Sequence, residues 1–232
     1  MNSACTCMGI KVRNPRFLAS LKLLHDHLIS DSLRLIELGC GKADLLVALA
    51  NALTAKEIYD VDIDEEALAE AQNRGVKVVK ADLNIACLPF KDEFFDVVIM
   101  EEVIEHLINP DNAIQEAYRI LKSEGYFLIS TPNLAWWVNR LALLLGFQPY
   151  WTECSTRYNI GKFGRKNYET LSGHLRLYTL RALKEILKLY GFRILEYKGV
   201  TYGNIPPILK EIDMLLSKRT SLAQIIVLLA MK

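Results

Sequence analysis

The order of apolar runs and amphipathic segments constrains this chain more than any other feature of its sequence. From about Leu33 onward, short apolar runs alternate with segments whose apolar residues recur at helical spacing. The predicted strands are Leu33–Leu38, Glu57–Ile63, Val76–Ala81, Asp96–Met100 and Tyr126–Ser130. Near-continuous apolar runs are typical of parallel strands that are buried on both faces. The alternation therefore predicts an α/β fold, a doubly wound, mostly parallel sheet with helices on both sides.

Capping residues and apolar spacing predict the helices. They are expected at Phe17–Leu28, Asp44–Ala55, Glu65–Arg74, Pro110–Leu121, Leu180–Tyr190 and about Ile208–Leu216. Asn109 and Thr179 stand as N-caps, and Pro110 occupies a first helical position, where its missing N–H costs nothing. Two further strands, Arg193–Val200 and Ile225–Ala230, are not joined by a long crossover, which indicates antiparallel pairing at one sheet edge. The sheet is thus predicted to have seven strands.

No linker, repeat or low-complexity tract divides the 232 residues, so a single domain over 1–232 is predicted, with a helical N-terminal cap at 1–32. A net charge of +1 gives no global electrostatic case for nucleic acid. No run approaches the ~20 apolar residues that span a bilayer, and the first residues lack the order of a secretory signal. We therefore expect a soluble, cytoplasmic protein. The pair Cys5 and Cys7 lacks a second Cys/His pair, and no metal site is predicted.

About fifty residues separate the fifth strand from the helix at Leu180, much more than a usual connection in an α/β fold. This stretch holds all three tryptophans, Trp136, Trp137 and Trp151. Because ligands bind at the carboxyl ends of parallel strands, residues 134–176 are predicted to be an acceptor-side insertion. Within it, Ala135–Lys166 is expected to form a mobile cover. Ala135–Phe147 is apolar nearly all round except at Asn139 and Arg140, which favours burial. A lipid-facing surface or a homodimer contact is the alternative.

Three strand ends carry a nucleotide-site pattern. Gly39 and Gly41 follow the first strand, where glycine permits a sharp turn and lets a ligand approach backbone N–H groups. Asp62 ends the second strand about twenty residues further on, the place from which a carboxylate accepts hydrogen bonds from ribose hydroxyls. Asp82 follows the third strand. A dinucleotide fingerprint would have Gly or Ala where this chain has Asp44, which counts against NAD.

Together these strand ends resemble the class I S-adenosylmethionine-dependent methyltransferases. The segments Phe95–His106, Gly125–Asn133 and Gly173–Thr179 are similar to the small-molecule branch of that family, which includes ubiquinone-biosynthesis O-methyltransferases. The resemblance implies S-adenosylmethionine as cofactor, S-adenosylhomocysteine as product, and a small-molecule or lipid-linked acceptor. It also implies an antiparallel last strand. The cofactor-binding residues that it implies are Glu37, Gly39, Cys40, Gly41, Asp62, Ile63, Asp82, Leu83 and Glu101.

Transfer to a hydroxyl needs a base as well as alignment with the methyl group. His106, just beyond the fourth strand, and His174 are the candidate bases, since an imidazole titrates near neutral pH. Each could instead be a packing or turn residue. Glu101 and Glu105 could orient either imidazole or simply be solvated.

Other functions stay open. Glu101-Glu102-Val103-Ile104 replaces the Asn/Asp-Pro-Pro-aromatic tetrad of enzymes that methylate base amines, which counts against DNA. Tyr158 and Lys162 have the spacing of short-chain dehydrogenases, but Gly161 and Gly164 make a poor helix there. A non-catalytic cofactor-binding subunit and an RNA or protein methyltransferase remain alternatives to O-methylation.

Overall fold

The computed structural model describes residues 14–28, 32–39, 41, 43–164, 171–202 and 205–232. Several residues that the sequence singles out lie outside these ranges. They are Cys5, Cys7 and the other residues of the cap before Asn14, Cys40 in the first turn, and the last residues of the expected cover, from 165 to Lys166.

Seven strands form one sheet, as predicted. They are β1 (Arg34–Leu38), β2 (Glu57–Asp62), β3 (Lys77–Lys80), β4 (Phe95–Glu101), β5 (Leu121–Pro132), β6 (Arg193–Val200) and β7 (Ile225–Met231). Their order across the sheet is β3-β2-β1-β4-β5-β7-β6. The first five strands pair in parallel, while β7 pairs antiparallel with both β5 and β6. The predicted antiparallel last strand is therefore confirmed, and it lies between β5 and the edge strand β6.

Helices cover both faces of this sheet. They are α1 (Pro15–His25), α2 (Asp44–Ala52), α3 (Glu65–Asn73), α4 (Pro110–Ile120), α5 (Trp137–Leu144), α6 (Leu180–Leu189) and α7 (Lys210–Ser217). Asn109 and Thr179 cap α4 and α6 through their side chains, as predicted. Within the described residues, no helix is long and apolar enough to cross a membrane.

The two-residue alternation of the strands divides the core in two. Ile36, Leu38, Val98 and Met100 pack on the side of α4 and α6. Leu35, Val97 and Ile99 pack on the side of α1 and α2. Because successive side chains of a strand point to opposite faces, the same alternation decides where the polar residues at the strand ends point.

Two predicted segments differ from the structure. The fifth strand begins at Leu121, five residues before the predicted Tyr126, because Leu121 pairs with Phe95 across a register irregularity in β4. The expected burial of Ala135–Phe147 is wrong. In α5 the leucines are exposed, Leu141 by 47% and Leu144 by 80%, whereas the polar Asn139 is fully buried.

Candidate active site

The carboxyl ends of the four neighbouring strands β3, β2, β1 and β4 enclose a cavity of about 340 Å³. The predicted cofactor residues on its wall are Gly39, Asp62, Ile63, Asp82 and Leu83. Ala81, Asn84, Glu102, Val103, His106 and Leu107 complete the wall. The sheet topology alone brings these residues together, because parallel strands end on one side of the sheet.

The first turn needs glycine at Gly39. Its φ of +81° is in the left-handed region, and a Cβ there would lie 2.8 Å from the Val103 side chain. At Gly41 φ is +56°, and the space where a Cβ would stand is open. The Gly41 N–H donates to Asp62 Oδ2 at 2.9 Å, which joins the turn after β1 to the end of β2.

Asp62 organises the loop at the end of β2. Its Oδ1 accepts from the backbone N–H groups of Ile63 (2.7 Å) and Asp64 (3.0 Å), while Oδ2 accepts from Gly41. A carboxylate has about four acceptor sites, so one more donor can be bound at this wall of the cavity. The three backbone donors fix the carboxylate in place.

Asp82 and Asn84 join the end of β3 to the loop after β4. Asp82 Oδ1 accepts from the Asn84 backbone at 2.9 Å and from its side-chain amide at 2.7 Å. Asn84 Oδ1 in turn accepts from the N–H groups of Ile108 (2.8 Å) and Asn109 (3.0 Å). The wall around Leu83 is therefore held from two directions.

The two glutamates after Met100 point to different places. Glu102 adopts a φ of +58°, lines the cavity and accepts from Ser130 Oγ at 2.9 Å. Glu101 is buried on the α1 face, where it accepts from Ser20 Oγ and pairs with Arg16, whose Nε lies 2.9 Å from Oε2. Burial raises the pKa of Glu101 to about 7. The structure thus places Glu101 away from the cavity wall.

Glu37 lies on the same face as Glu101 and is 3% exposed. Burial, followed by the nearby Glu101 and Asp60 carboxyls, holds the pKa of Glu37 well above its usual value. Its side chain does not line the cavity at the strand ends. Of the implied cofactor residues, then, Glu37 and Glu101 are buried on the other face and do not line this cavity.

The two candidate bases come together at the cavity wall. The rings of His106 and His174 are 4.8 Å apart between centroids, and His106 Nδ1 lies 3.1 Å from the Gly173 carbonyl oxygen. Burial and, to a lesser extent, the neighbouring His106 lower the pKa of His174 to about 4. His174 is thus neutral at pH 7.

Glu105 lies behind this pair and is fully buried, which excludes the expectation that it is solvated. Its Oε2 accepts from Thr131 Oγ1 at 2.9 Å. Its backbone carbonyl accepts from the N–H groups of Leu175 (2.8 Å) and Arg176 (3.1 Å), so the end of the insertion is tied to the loop after β4. Burial and the adjacent Glu102 raise the pKa of Glu105 to about 8.

The insertion also forms an apolar cavity of about 420 Å³. Its walls are Trp136, Trp137, Val138, Leu141, Ala142, Leu145, Tyr150, Phe163, Gly164, Ile205, Pro206 and Leu209. One buried carboxylate holds its two sides: Asp213 Oδ1 on α7 accepts from the indole N–H groups of Trp136 (3.1 Å) and Trp137 (2.8 Å).

Comparison with known proteins agrees with this geometry. A family model described as a methyltransferase domain matches residues 13–197, most of the chain. The chain belongs to the S-adenosylmethionine-dependent methyltransferases. It is 38% identical over 101 residues to a probable S-adenosylmethionine-dependent methyltransferase of Mycobacterium tuberculosis, which covers 42% of this chain and 35% of that protein. The chain thus spans about a third of the length of that relative.

One further relative is similar in sequence to this chain, and one solved structure is similar in fold. A mitochondrial ubiquinone biosynthesis O-methyltransferase of Candida albicans is 28% identical over 119 residues, 48% of this chain and 36% of that protein. A solved S-adenosylmethionine-dependent methyltransferase of Thermotoga maritima shares the fold with a TM-score of 0.60 and 23% identity, over 93% of this chain and 89% of that chain.

The cavity at the strand ends of this methyltransferase fits the cofactor chemically. Asp62 retains acceptor capacity for a ribose hydroxyl, Ile63 and Leu83 offer apolar walls for a flat ring, and the open space at Gly41 leaves room for a ligand beside the turn. Glu102, Asn84 and Val103 were not anticipated from the sequence. The alternation of β4 would have indicated Glu102, because Glu101 continues the face of Val97 and Ile99.

Proposed function

We propose that this methyltransferase transfers the methyl group to a hydroxyl of a small apolar or lipid-linked acceptor. The observation that carries the proposal is a row of contacts between the two cavities. Trp136, in the wall of the apolar cavity, has its ring 5.4 Å from that of Trp151, whose backbone lies next to the His174 ring. His174 meets His106, which lines the cofactor cavity. An acceptor whose apolar part fills the first cavity would present its polar end beside the imidazoles.

S-adenosylmethionine would supply an electrophilic methyl group when bound. The residues proposed to hold it are Gly39, Gly41 and Asp62 at the turn and ribose, and Ile63, Asp82 and Leu83 around the adenine. Orientation of two bound reactants contributes on the order of 7–11 kcal/mol to lowering a barrier, so holding the acceptor in line is the main task of the insertion at 134–176.

A hydroxyl acceptor must also lose its proton. We propose His106 as the base, because its Nδ1 is held by the Gly173 carbonyl and its other nitrogen is left for the acceptor. A pKa of about 4 makes His174 the weaker base. Oxygen is favoured as the methylated atom because the Candida relative is an O-methyltransferase.

The test is a panel of phenols that differ only in the length of an alkyl or polyprenyl side chain, assayed with labelled S-adenosylmethionine. We expect kcat/KM to rise with chain length until the 420 Å³ cavity is filled, by up to about fourfold for each buried methylene at ~0.8 kcal/mol. Leu145→Asp, in the cavity wall, should remove this dependence, whereas the matched control Leu189→Asp, at the exposed last residue of α6, should retain it. A kcat/KM that is independent of chain length would contradict the proposal.

The same assay tests the base. His106→Ala should lower kcat at least ~100-fold and leave the affinity for S-adenosylhomocysteine nearly unchanged. His25→Ala, at the exposed end of α1, is the control. Equal losses of both quantities would indicate that His106 serves packing instead.

A further inference from the structure

We propose that Glu105, His106 and His174 form a binding site for one divalent transition-metal cation at the wall of the cofactor cavity. One carboxylate oxygen and one nitrogen from each imidazole all lie within 4.8 Å of one another. The inference rests on the proposed function, since the cation would act on the acceptor of that same site. The sequence gives no spacing signal for it, because His174 is far along the chain from the other two ligands.

Two of the three side chains have one polar atom anchored by the protein and another left for a ligand. Glu105 Oε2 is held by Thr131, and His106 Nδ1 by the Gly173 carbonyl. Metal-binding residues characteristically have this arrangement, in which an outer partner fixes the orientation of the ligand.

Two polar atoms of this cluster are buried without a partner in the described part of the chain, which costs free energy unless a ligand is bound. Glu105 Oε1 and His174 Nδ1 are buried and have no hydrogen-bond partner among the described residues. The Glu105 side chain is 0% exposed, so water cannot compensate from the surface. A buried polar atom without a partner costs roughly 1–3 kcal/mol, and a cation between these atoms would satisfy both at once.

The donor set selects the class of cation. Two imidazoles and one carboxylate suit Zn²⁺, Fe²⁺ or Co²⁺ better than Ca²⁺ or Mg²⁺, which prefer oxygen. Bonds of about 2.0–2.2 Å require the ligand atoms to approach one another more closely than the present 4.8 Å. His106 is exposed, so its ring is the one that can move towards the other two ligands.

The open side of the cation would face the acceptor. A hydroxyl oxygen bound there ionises more readily, and its proton leaves to solvent. The oxygen lone pair then forms the O–CH₃ bond while the S–CH₃ bond breaks and its electron pair stays on sulfur. The products are the methyl ether, S-adenosylhomocysteine and one proton. In this form the cation replaces the free His106 imidazole as the group that activates the acceptor.

The test is calorimetric titration of the metal-free chain with Zn²⁺ alone. We expect one Zn²⁺ per chain. Loss of an outer partner typically weakens metal binding ~10–100-fold, so Thr131→Val should weaken Zn²⁺ binding by that factor and Thr131→Ser should restore it. Glu105→Gln and His174→Ala remove ligands, and each should weaken Zn²⁺ binding by more than that factor. His25→Ala is the control, and a background with Cys5, Cys7, Cys87 and Cys154 replaced by serine removes binding by these thiols.

Thr131→Val keeps the shape of the side chain and should fold. Its Zn²⁺ affinity therefore tests the site even if Glu105→Gln does not fold. No Zn²⁺ binding, or equal affinity in all variants, would overturn the inference. If Zn²⁺ does not bind but His106→Ala still abolishes transfer to phenols, the proposed function survives and the metal site does not. If Zn²⁺ binds as expected but no hydroxyl acceptor is methylated, the metal site survives and the proposed function does not.

Discussion

Asp62 is the side chain whose loss should affect cofactor binding most. Its carboxylate joins the Gly41 turn to the end of β2 and has capacity for one more donor. Asp62→Ala would leave the Gly41 N–H and the ribose hydroxyl without this acceptor, at ~1–3 kcal/mol. We expect calorimetry to show S-adenosylhomocysteine binding weakened roughly 5- to 150-fold.

Glu66→Ala is the matched control for Asp62, because Glu66 is an exposed acid in the first turn of α3. Its affinity for S-adenosylhomocysteine should equal that of the unaltered chain. Unchanged affinity in Asp62→Ala would remove Asp62 from the cofactor site.

Glu37 should make the free energy of unfolding depend on pH. Its pKa in the folded chain is raised by burial and by the Glu101 and Asp60 carboxyls, with Arg16 opposing. Below the unfolded pKa of about 4.5, both states hold the proton and the contribution is fully present. As pH rises towards the folded pKa, the unfolded state ionises first, so stability is lost at about 1.4 kcal/mol per pH unit.

Glu37→Gln removes this component, because the amide does not ionise but can still accept a hydrogen bond. Chemical denaturation of the cofactor-free chain between pH 5 and 8 should show the variant gaining stability relative to the unaltered chain as pH rises. A difference that is the same at every pH would mean that Glu37 is already ionised in the folded state.

Part of the site follows from the sequence at this scale, and part does not. Gly39, Gly41, Asp62 and Asp82 could be predicted because strand order and glycine chemistry determine where they lie. The meeting of His106 with His174 could not, because it depends on backbone contacts from a long connection without periodicity.

At the scale of elements, α5 shows why apolar composition misleads. The sequence of Ala135–Phe147 favours burial, yet the leucines of α5 are exposed and the polar Asn139 faces inward beside Ala142. Its amide donates to the carbonyls of Asn133 (3.3 Å) and Leu134 (3.1 Å), and its Oδ1 accepts from the Tyr150 N–H at 2.8 Å. Backbone N–H and C=O groups in an irregular segment need hydrogen-bond partners, and here this need outweighs the gain from burying an apolar side chain. The leucines then face outward, and Leu141 together with Leu145 lines the apolar cavity.

The cover over the acceptor pocket remains a prediction for residues 135–166. Because α5 exposes its leucines and is held mainly by Asn139 and by the Trp–Asp213 hydrogen bonds, we expect weak hydrogen-exchange protection without ligand. S-adenosylhomocysteine together with a long-chain phenol should increase protection there, since closure excludes water from the methyl group. β1 serves as the internal reference. Protection equal to that of β1 in the free chain would show a rigid segment.

At the scale of the whole molecule, ligand binding should distinguish S-adenosylhomocysteine from NAD. A ligand at 100 times its Kd stabilises the folded state by about 2.7 kcal/mol, which for a chain of this size raises Tm by roughly 5–10 °C. NAD should give no shift. Its pyrophosphate would meet Asp44 at the start of α2, where a dinucleotide site has a small neutral residue. Equal shifts with the two ligands would contradict the cofactor assignment.

The hydrogen bonds to Asp213 hold Trp136 and Trp137 in place. The positions of the tryptophans in turn determine what the intrinsic fluorescence of the chain reports. Trp136 and Trp137 line the apolar cavity, and the third tryptophan, Trp151, packs its ring against Trp136. None of the three lines the cofactor cavity. The intrinsic indole emission of this protein is therefore a built-in spectroscopic probe of the acceptor side, so occupancy of that side can be followed without any added label.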